Sequence, residues 1–124
     1  PIQFMTKGIL HFRHEGDAEL SYTETQQDED SGEIIKSDII LNFSEKRVTM
    51  ERKGDYASTM VFVNGVRYEG EYQTTYGNMG LAVTARKVEC NIGEKKGAIH
   101  LKYQLDIHGN YSSSNELHME YHAE

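Results

Sequence analysis

Apolar and polar residues alternate near the end of the chain, between Ala98 and Tyr121. One set of alternate positions is apolar and comprises Ile99, Leu101, Tyr103, Leu105 and Ile107. The positions between them are polar and comprise His100, Lys102, Gln104, Asp106 and His108. After a polar segment the alternation resumes from Leu117 to Tyr121. Because successive side chains point to opposite faces in an extended strand, this pattern predicts an antiparallel hairpin with one buried and one solvated face.

Turn-forming residues divide the rest of the chain into similar segments. Short clusters rich in Gly, Asn, Asp and Ser recur at intervals that are typical of an all-β domain. The segments between them predict nine strands: 2–14, 17–27, 33–43, 46–53, 57–64, 66–75, 79–91, 97–108 and 115–122. No segment has the periodicity of a helix of three turns, so the pattern indicates an all-β protein.

The predicted strand 79–91 changes phase once. Its apolar positions run in steps of two from Met79 to Ala85 and then continue at Val88 and Cys90. A β-bulge near Arg86 produces such a one-residue shift, and bulges help a sheet to bend into a barrel.

The pattern also predicts a register for the last hairpin. If Ile107 pairs with Leu117, then Leu105 lies opposite Met119, and the remaining apolar and polar positions match as well. Matched cross-strand pairs stabilise a sheet, so this register is the one that we expect.

Asn64 and Gly65 are the clearest turn signal, since a type I′ turn needs positive φ at both central residues. A tight turn at this point would place Met60 and Phe62 on the face of the charged Arg67. Either that face carries an apolar patch for a partner subunit, or the loop is longer and the register shifts. The sequence leaves both alternatives open.

Nine short antiparallel strands without covering helices must protect the edges of their sheet, and closing the sheet removes those edges. We therefore predict one all-β domain over residues 1–124, a closed or nearly closed antiparallel β-barrel of about 8–10 strands. A two-sheet β-sandwich is the alternative. A chain of 124 residues can form such a core without covalent crosslinks.

Composition excludes several function classes. The net charge of −7 opposes binding to a phosphate backbone, so we expect no nucleic-acid partner. No apolar run approaches the ~20 residues that span a bilayer, and no secretory signal precedes the first strand, so we expect no membrane partner. The single cysteine, Cys90, has no partner for an internal disulfide, which favours a reducing, cytoplasmic location.

Five tyrosines fall on the apolar phase of the predicted strands and are candidate barrel-lining residues: Tyr22, Tyr68, Tyr72, Tyr103 and Tyr121. Buried hydroxyls need partners, so these phenols either converge on a ligand or bond to backbone carbonyls and water at the barrel ends. Arg52 is the sixth candidate, because an inward guanidinium could grip an anionic group through two hydrogen bonds. Arg47 has the opposite parity, so at most one of the two arginines points inward.

The sequence predicts no metal, cofactor or catalytic residue. His118 and His122 share a face but are separated by about 13 Å, which is too far for one ion. The serine run 112–114 lies in a turn, which serines favour without any chemistry. No Gly-rich phosphate loop precedes a helix.

Several segments resemble the YwiB-like family of uncharacterised bacterial proteins. The residues that carry the resemblance are Tyr72-Gln73-Thr74-Thr75-Tyr76-Gly77, Leu81-Ala82-Val83, Gly97 with Leu101-Lys102-Tyr103-Gln104-Leu105, and Asn115-Glu116-Leu117. The resemblance implies a lipocalin-like (calycin) antiparallel barrel in a cytoplasmic bacterial protein. It supplies no catalytic residue.

Two function hypotheses follow from these patterns. The first is a non-enzymatic barrel that binds a small, mainly apolar ligand in its interior, since a barrel of about eight strands can hold one such ligand. The alternative is a filled barrel that serves as a protein–protein interaction or oligomerisation module, for example a homodimer. Its contact patch would include Met60, Phe62, Ile34 or Ile40. An enzyme acting in the barrel mouth requires a cluster of ionisable groups with shifted pKa values.

Overall fold

The structure is a computed structural model that describes residues 5–14, 17–27, 30–54, 56–74, 77–107 and 111–123. It contains nine strands: β1 (Gly8–His14), β2 (Asp17–Gln27), β3 (Ile34–Phe43), β4 (Arg47–Gly54), β5 (Ala57–Val63), β6 (Arg67–Thr74), β7 (Gly77–Asn91), β8 (Lys96–Ile107) and β9 (Tyr111–His122). All nine strands pair in chain order as one antiparallel sheet. The prediction of an all-β protein is confirmed, and the strands form one sheet rather than the two of a sandwich.

The sheet curls until strands that are not neighbours touch. The ring of Phe43 on β3 lies 6.2 Å from the ring of Tyr121 on β9. Phe62 on β5 makes an edge contact with Tyr103 on β8 at 4.9 Å between ring centres. The edge strands β1 and β9 do not pair with each other over their described residues. The architecture is therefore a curled antiparallel half-barrel.

The concave face divides into two regions along the strands. At one end, large apolar side chains are almost completely buried, and we call this region the apolar half: Leu41, Phe43, Val48, Phe62, Ile99 and Leu101. At the other end the same face carries polar or amphipathic residues, and we call this region the polar end: Tyr22, Glu24, Ser37, Arg52, Ser58 and Tyr72. Both regions follow the same two-residue alternation, so the strand pattern alone does not distinguish them.

The pairing of β7 with β8 contains the expected bulge. Ala85 pairs with Tyr103, and Lys87 pairs with Lys102, so Arg86 is the extra residue. The extra residue offsets the one-residue change in the apolar pattern, so Val83 and Val88 both lie on the concave face.

The predicted register of the last hairpin is wrong by six residues. Ile107 lies opposite Tyr111, and Leu117 lies opposite Leu101. Strand β9 begins at Tyr111 rather than at residue 115, so its pairing with β8 starts four residues earlier than predicted. A shift by an even number of residues leaves every side chain on its predicted face, which is why the alternation did not reveal the error.

The connection between β5 and β6 resolves the conflict at Phe62. Asn64 and Gly65 form the turn, in which the Val66 N–H donates to the Val63 carbonyl at 2.9 Å and Gly65 has φ of 78°. Farther along the strands, Ser58 pairs with Tyr72, one residue away from the register that a tight turn would continue. This shift turns Phe62 into the core, where 1% of its surface is exposed.

The four residues of the predicted contact patch do not lie on one surface. Phe62 is buried, and Met60 packs against the core beside it, so neither lies on an outer surface. Ile40 is half-buried on the convex face, and Ile34 is exposed at the start of β3. The predicted first strand also starts late, because β1 begins at Gly8. Residues 2–4 of that prediction lie outside the described residues.

Candidate functional site

A cleft of about 310 Å³ lies beside the polar end. Its volume is near the lower limit of ~300–1,000 Å³ for small-molecule pockets. Nine residues line it: Glu51, Arg52, Lys53, Ala57, Ser58, Thr59, Tyr68, Glu71 and Gln73. Arg52, Ser58 and Tyr68 belong to the concave face, whereas the others have the opposite parity. The cleft therefore passes between strands rather than lying on one side of the sheet.

The cleft exists because β5 and β6 separate. Ala57 pairs with Gln73 and Ser58 pairs with Tyr72, and the strands diverge between these pairs and the turn. Besides its own hydrogen bond between Val66 and Val63, the turn is held by β7, since the Gly65 N–H donates to the Ala85 carbonyl at 2.8 Å. The cleft lies at this separation, and Arg52 is one of the residues that line it.

Arg52 forms an ion pair with Glu24 across the intervening strand β3. The guanidinium donates from Nη1 to Oε1 at 3.4 Å and from Nη2 to Oε2 at 3.5 Å. Both side chains are mostly buried, with exposed fractions of 24% for Arg52 and 17% for Glu24. The parity argument is confirmed in that Arg52 shares the concave face with Met50, while Arg47 is exposed.

Tyr22 lies next to this ion pair. It faces Ile39 on β3, whose other partner is Arg52. Burial raises the pKa of the Tyr22 phenol, the negative charge of Glu24 adds to this effect, and Arg52 opposes it. The phenol therefore stays neutral at physiological pH and keeps its proton as a hydrogen-bond donor.

Tyr68 and Tyr72 occupy the same side of the polar end on β6. The ring of Tyr68 lies over Gly70, where a Cβ would approach it to 2.9 Å, and it lines the cleft. Tyr72 stacks on Tyr56 with ring centres 6.1 Å apart and an interplanar angle of 21°. These rings give the polar end an aromatic surface that is half-buried.

The other two predicted tyrosines lie in the apolar half and have structural partners. Burial raises the pKa of Tyr103, whose ring packs on Phe62. The Tyr121 hydroxyl donates to the Gly93 carbonyl at 2.9 Å and accepts from the Gly93 N–H at 3.2 Å. Tyr121 thus bonds to the backbone at a barrel end, which is one of the two alternatives for these phenols. The structure places Tyr22, Arg52 and Tyr72 in one cross-strand row and Tyr68 with Arg52 in the lining of the cleft, and it leaves Tyr103 and Tyr121 apart from them.

Sequence reasoning missed Glu24, although a signal for it was present. Glu24 shares its parity with Ala18, Leu20 and Tyr22 on β2, so the alternation by itself would have placed a carboxylate on the concave face. A charge at an inward position is informative because burial of an unpaired charge is costly. Its partner could not be deduced, since Arg52 lies two strands away.

The convex face carries a pair of histidines that the wrong register concealed. His100 and His118 are cross-strand partners, and their ring centres are 5.4 Å apart. The His100 Nε2–H donates to Glu116, which holds the pKa of that carboxyl below its usual range. Among the described residues, no group of three or more His, Cys, Asp or Glu is arranged to hold a metal ion.

Shifted ionisable groups are scattered over the described part of the molecule. The pKa is raised at Tyr22, Arg67, Cys90 and Tyr103 and lowered at Glu116. For Arg67, hydrogen bonds to Asp106 and Glu69 raise the pKa on the convex surface. These five groups do not share one cleft, so they define no catalytic cluster.

Comparison with known proteins agrees with this architecture. Residues 1–119 match a family described as a domain of unknown function, DUF1934. The uncharacterised β-barrel protein YwiB of Bacillus subtilis (strain 168) is 24% identical over 106 residues, which are 86% of this chain and 70% of that protein.

The crystal structure of the YwiB protein from Bacillus subtilis superposes with a TM-score of 0.77 and 24% identity. The match covers 99% of this chain and 80% of that one. In the described part of the chain, no helix has the length and apolarity needed to cross a membrane. The resemblance in sequence is thus confirmed together with the barrel fold, and the chain belongs to the DUF1934 family of β-barrel proteins of unknown function.

Proposed function

We propose that this protein is a non-enzymatic binder of a small, mainly apolar ligand, which it takes up at the polar end of the concave face. The observation that carries the proposal is that the half-buried Tyr22 and Tyr72 lie in one cross-strand row with Arg52, and that Arg52 and Tyr68 line the same cleft. Aromatic rings with polar tips are suited to ligands that are apolar but not wholly so.

The packing of the concave face supports the polar end over the rest of the interior. In the apolar half, Phe43 reaches Tyr121 and Phe62 reaches Tyr103 across the curl. Side chains there occupy the space that a ligand would need. At the polar end Ser58 is small, and Ser58, Tyr22 and Tyr72 are only half-buried. The barrel would therefore hold the ligand near its mouth.

The test is calorimetric titration of the purified protein with decanoate and, separately, with 1-decanol. We expect saturable binding of at least one of these single-chain probes, and weaker binding by Tyr72→Ala, because the aromatic surface shrinks. Val66→Ala is the control, since Val66 is exposed at the opposite end of the strands. The proposal is wrong if neither probe binds saturably. It is also wrong if Tyr72→Ala and Val66→Ala lower the affinity equally. Native mass spectrometry of protein purified from its own host adds the identity of a retained molecule.

A second candidate function is self-association as a homodimer, with the barrel as a rigid support. The observation that favours it is the edge strand β1, on which Ile9 is 62% exposed and Phe12 is 44% exposed. An apolar edge strand is a template for pairing with another chain. Sedimentation velocity over a wide concentration range should detect a dimer that Ile9→Glu abolishes and Val66→Glu preserves. A monomer at every concentration would exclude it.

We also propose a cytoplasmic location. The support for it is that Cys90 is buried and free, as is usual for a thiol in a reducing compartment.

A further inference from the structure

The ion pair of Arg52 and Glu24 is unusually long for its degree of burial. Charge-assisted hydrogen bonds of this type normally measure about 2.7–2.9 Å, whereas both contacts here exceed that range. The two side chains start from β2 and β4, which flank β3, so their backbones are about 9.5 Å apart. On β3, Glu24 lies opposite the buried Ser37, and Arg52 lies opposite the neighbouring inward residue Ile39. The two side chains therefore meet across a whole strand, at distances longer than those of a strong charge-assisted pair.

A loose, buried ion pair adds little to stability. Removing two charges from water has a cost that Coulombic attraction offsets only when the geometry is good. The pair therefore gives Arg52 a partner without holding it strongly. A carboxylate that approaches to the normal distance would bind the guanidinium better than Glu24 does.

The cleft gives an external carboxylate access to Arg52. Arg52 is one of its lining residues, and so are Ser58 and Tyr68, which bear hydroxyl groups. At the rim Lys53 is positive, and it lies 3.9 Å from Glu51, which it partly neutralises. An anionic head group can thus reach Arg52 while an apolar tail lies along the aromatic surface of the polar end.

We infer that Arg52 recognises a carboxylate on the ligand and that Glu24 is an internal competitor for the same guanidinium. This inference rests on the proposed function, because it identifies the head group of the ligand held at the polar end. Glu24 occupies Arg52 in the free protein and is displaced on binding. Its charge lowers the affinity and so limits binding to ligands whose carboxylate fits the fork of Arg52.

The experiment compares decanoate with 1-decanol, which have the same chain and differ in charge, on four proteins by calorimetry. Glu24→Gln should bind decanoate about tenfold more tightly than the parent chain and bind 1-decanol unchanged. Arg52→Gln should bind decanoate at least tenfold more weakly and bind 1-decanol unchanged. Glu45→Gln removes one negative charge from the turn between β3 and β4, at the other end of the molecule, and is the control for net charge.

The outcomes separate the two proposals. If Glu24→Gln and Glu45→Gln strengthen decanoate binding equally, or if Arg52→Gln binds decanoate as the parent does, the competitor inference is wrong and the proposed function stands. If neither probe binds any protein, the proposed function fails and the inference fails with it. Should Arg52→Gln not fold, as judged by circular dichroism, Arg52→Lys replaces it. Lysine keeps the charge but loses the two-pronged contact, so decanoate binding should fall while 1-decanol binding does not.

Discussion

Phe62 and Ser58 lie four residues apart on strand β5 and therefore share the concave face, but their surroundings differ completely. Phe62 is 1% exposed and contacts the ring of Tyr103 across the curl. Ser58 is half-buried and lines the cleft beside Arg52. One strand thus contributes to a close-packed core at one end and to a solvent-accessible polar surface at the other. The comparison shows that the two ends of the half-barrel offer different environments although they share strands and a face.

The energetic contributions of the two ends are also unequal. Burial of a large apolar side chain such as Phe62 stabilises the fold by about 1.5–3 kcal/mol. An ion pair with partial exposure, such as Arg52 with Glu24, contributes about 0–1 kcal/mol. The apolar half therefore contributes most of the stability. Substitutions at the polar end should alter its surface chemistry without unfolding the protein.

The largest effect should come from emptying the apolar half. Phe62→Ala should lower the free energy of unfolding by about 3–5 kcal/mol, since a cavity replaces a fully buried ring. Ser58→Ala, on the same strand and face, should change it by less than about 0.5 kcal/mol. Urea denaturation followed by circular dichroism measures both. Similar losses in the two variants would contradict the division of the concave face.

The alkylation rate of Cys90 reports how well the apolar half excludes water. Burial raises the pKa of this thiol from 9.0 to about 11, so the thiolate fraction at pH 8 should be about 100-fold below that of the unfolded chain. Alkylation by iodoacetamide should be slower by this factor and accelerate about tenfold per pH unit up to pH 11. Equal rates with and without urea would contradict the prediction.

The raised pKa of Cys90 also makes the free energy of unfolding depend on pH. The folded state retains the thiol proton above pH 9, where the unfolded chain loses it. Stability from this group is therefore complete below pH 9 and decreases as the pH rises towards 11. Cys90→Ala should lack this component, which urea denaturation at pH 8 and pH 10 can compare.

A smaller effect should follow from crowding Tyr121. A Cβ on Gly97 would lie 2.3 Å from the Tyr121 ring, so Gly97→Ala must displace the ring and its two hydrogen bonds to Gly93. We expect a loss of about 1–3 kcal/mol in thermal denaturation. Gly80→Ala is the matched control, because nothing lies within 4 Å of its Cβ position. A stable Gly97→Ala protein would show that Tyr121 is not held in place.

The smallest effect belongs to the polar end. A double-mutant cycle with Arg52→Gln and Glu24→Gln should give a coupling energy of about 1 kcal/mol or less in urea denaturation, because the contact is long and partly exposed. A coupling energy above about 3 kcal/mol would mean that the pair is a structural element of the core. Glu24 would then not be available for exchange with a ligand.

Much of this fold could be predicted from local pattern. Alternation located all nine strands, mostly within two residues of their bounds, and the phase change at Arg86 located the bulge in β7. The inward parity of Tyr22, Tyr72 and Arg52 followed in the same way. These features depend only on which residues share a face, and a strand encodes this property locally.

What failed depends on the pairing of strands. The register of β8 and β9 was wrong by six residues, because an even shift keeps the same faces inward. The polar composition of the segment before Leu117 had predicted a turn. In the structure this segment belongs to β9 and pairs with β8, for example Asn115 with Tyr103. The meeting of His100 with His118 was lost for the same reason.

The sequence by itself determined the all-β class, the strands and the face of most side chains, since a two-residue period is a property of each strand alone. Only the tertiary structure decided how far the sheet curls, which brings Phe43 to Tyr121 and fills the apolar half. It also decided that β5 and β6 separate and that Arg52 meets Glu24 across β3. These contacts join residues 28 or more positions apart, and their formation depends on strand twist and the packing of the whole sheet rather than on any local pattern.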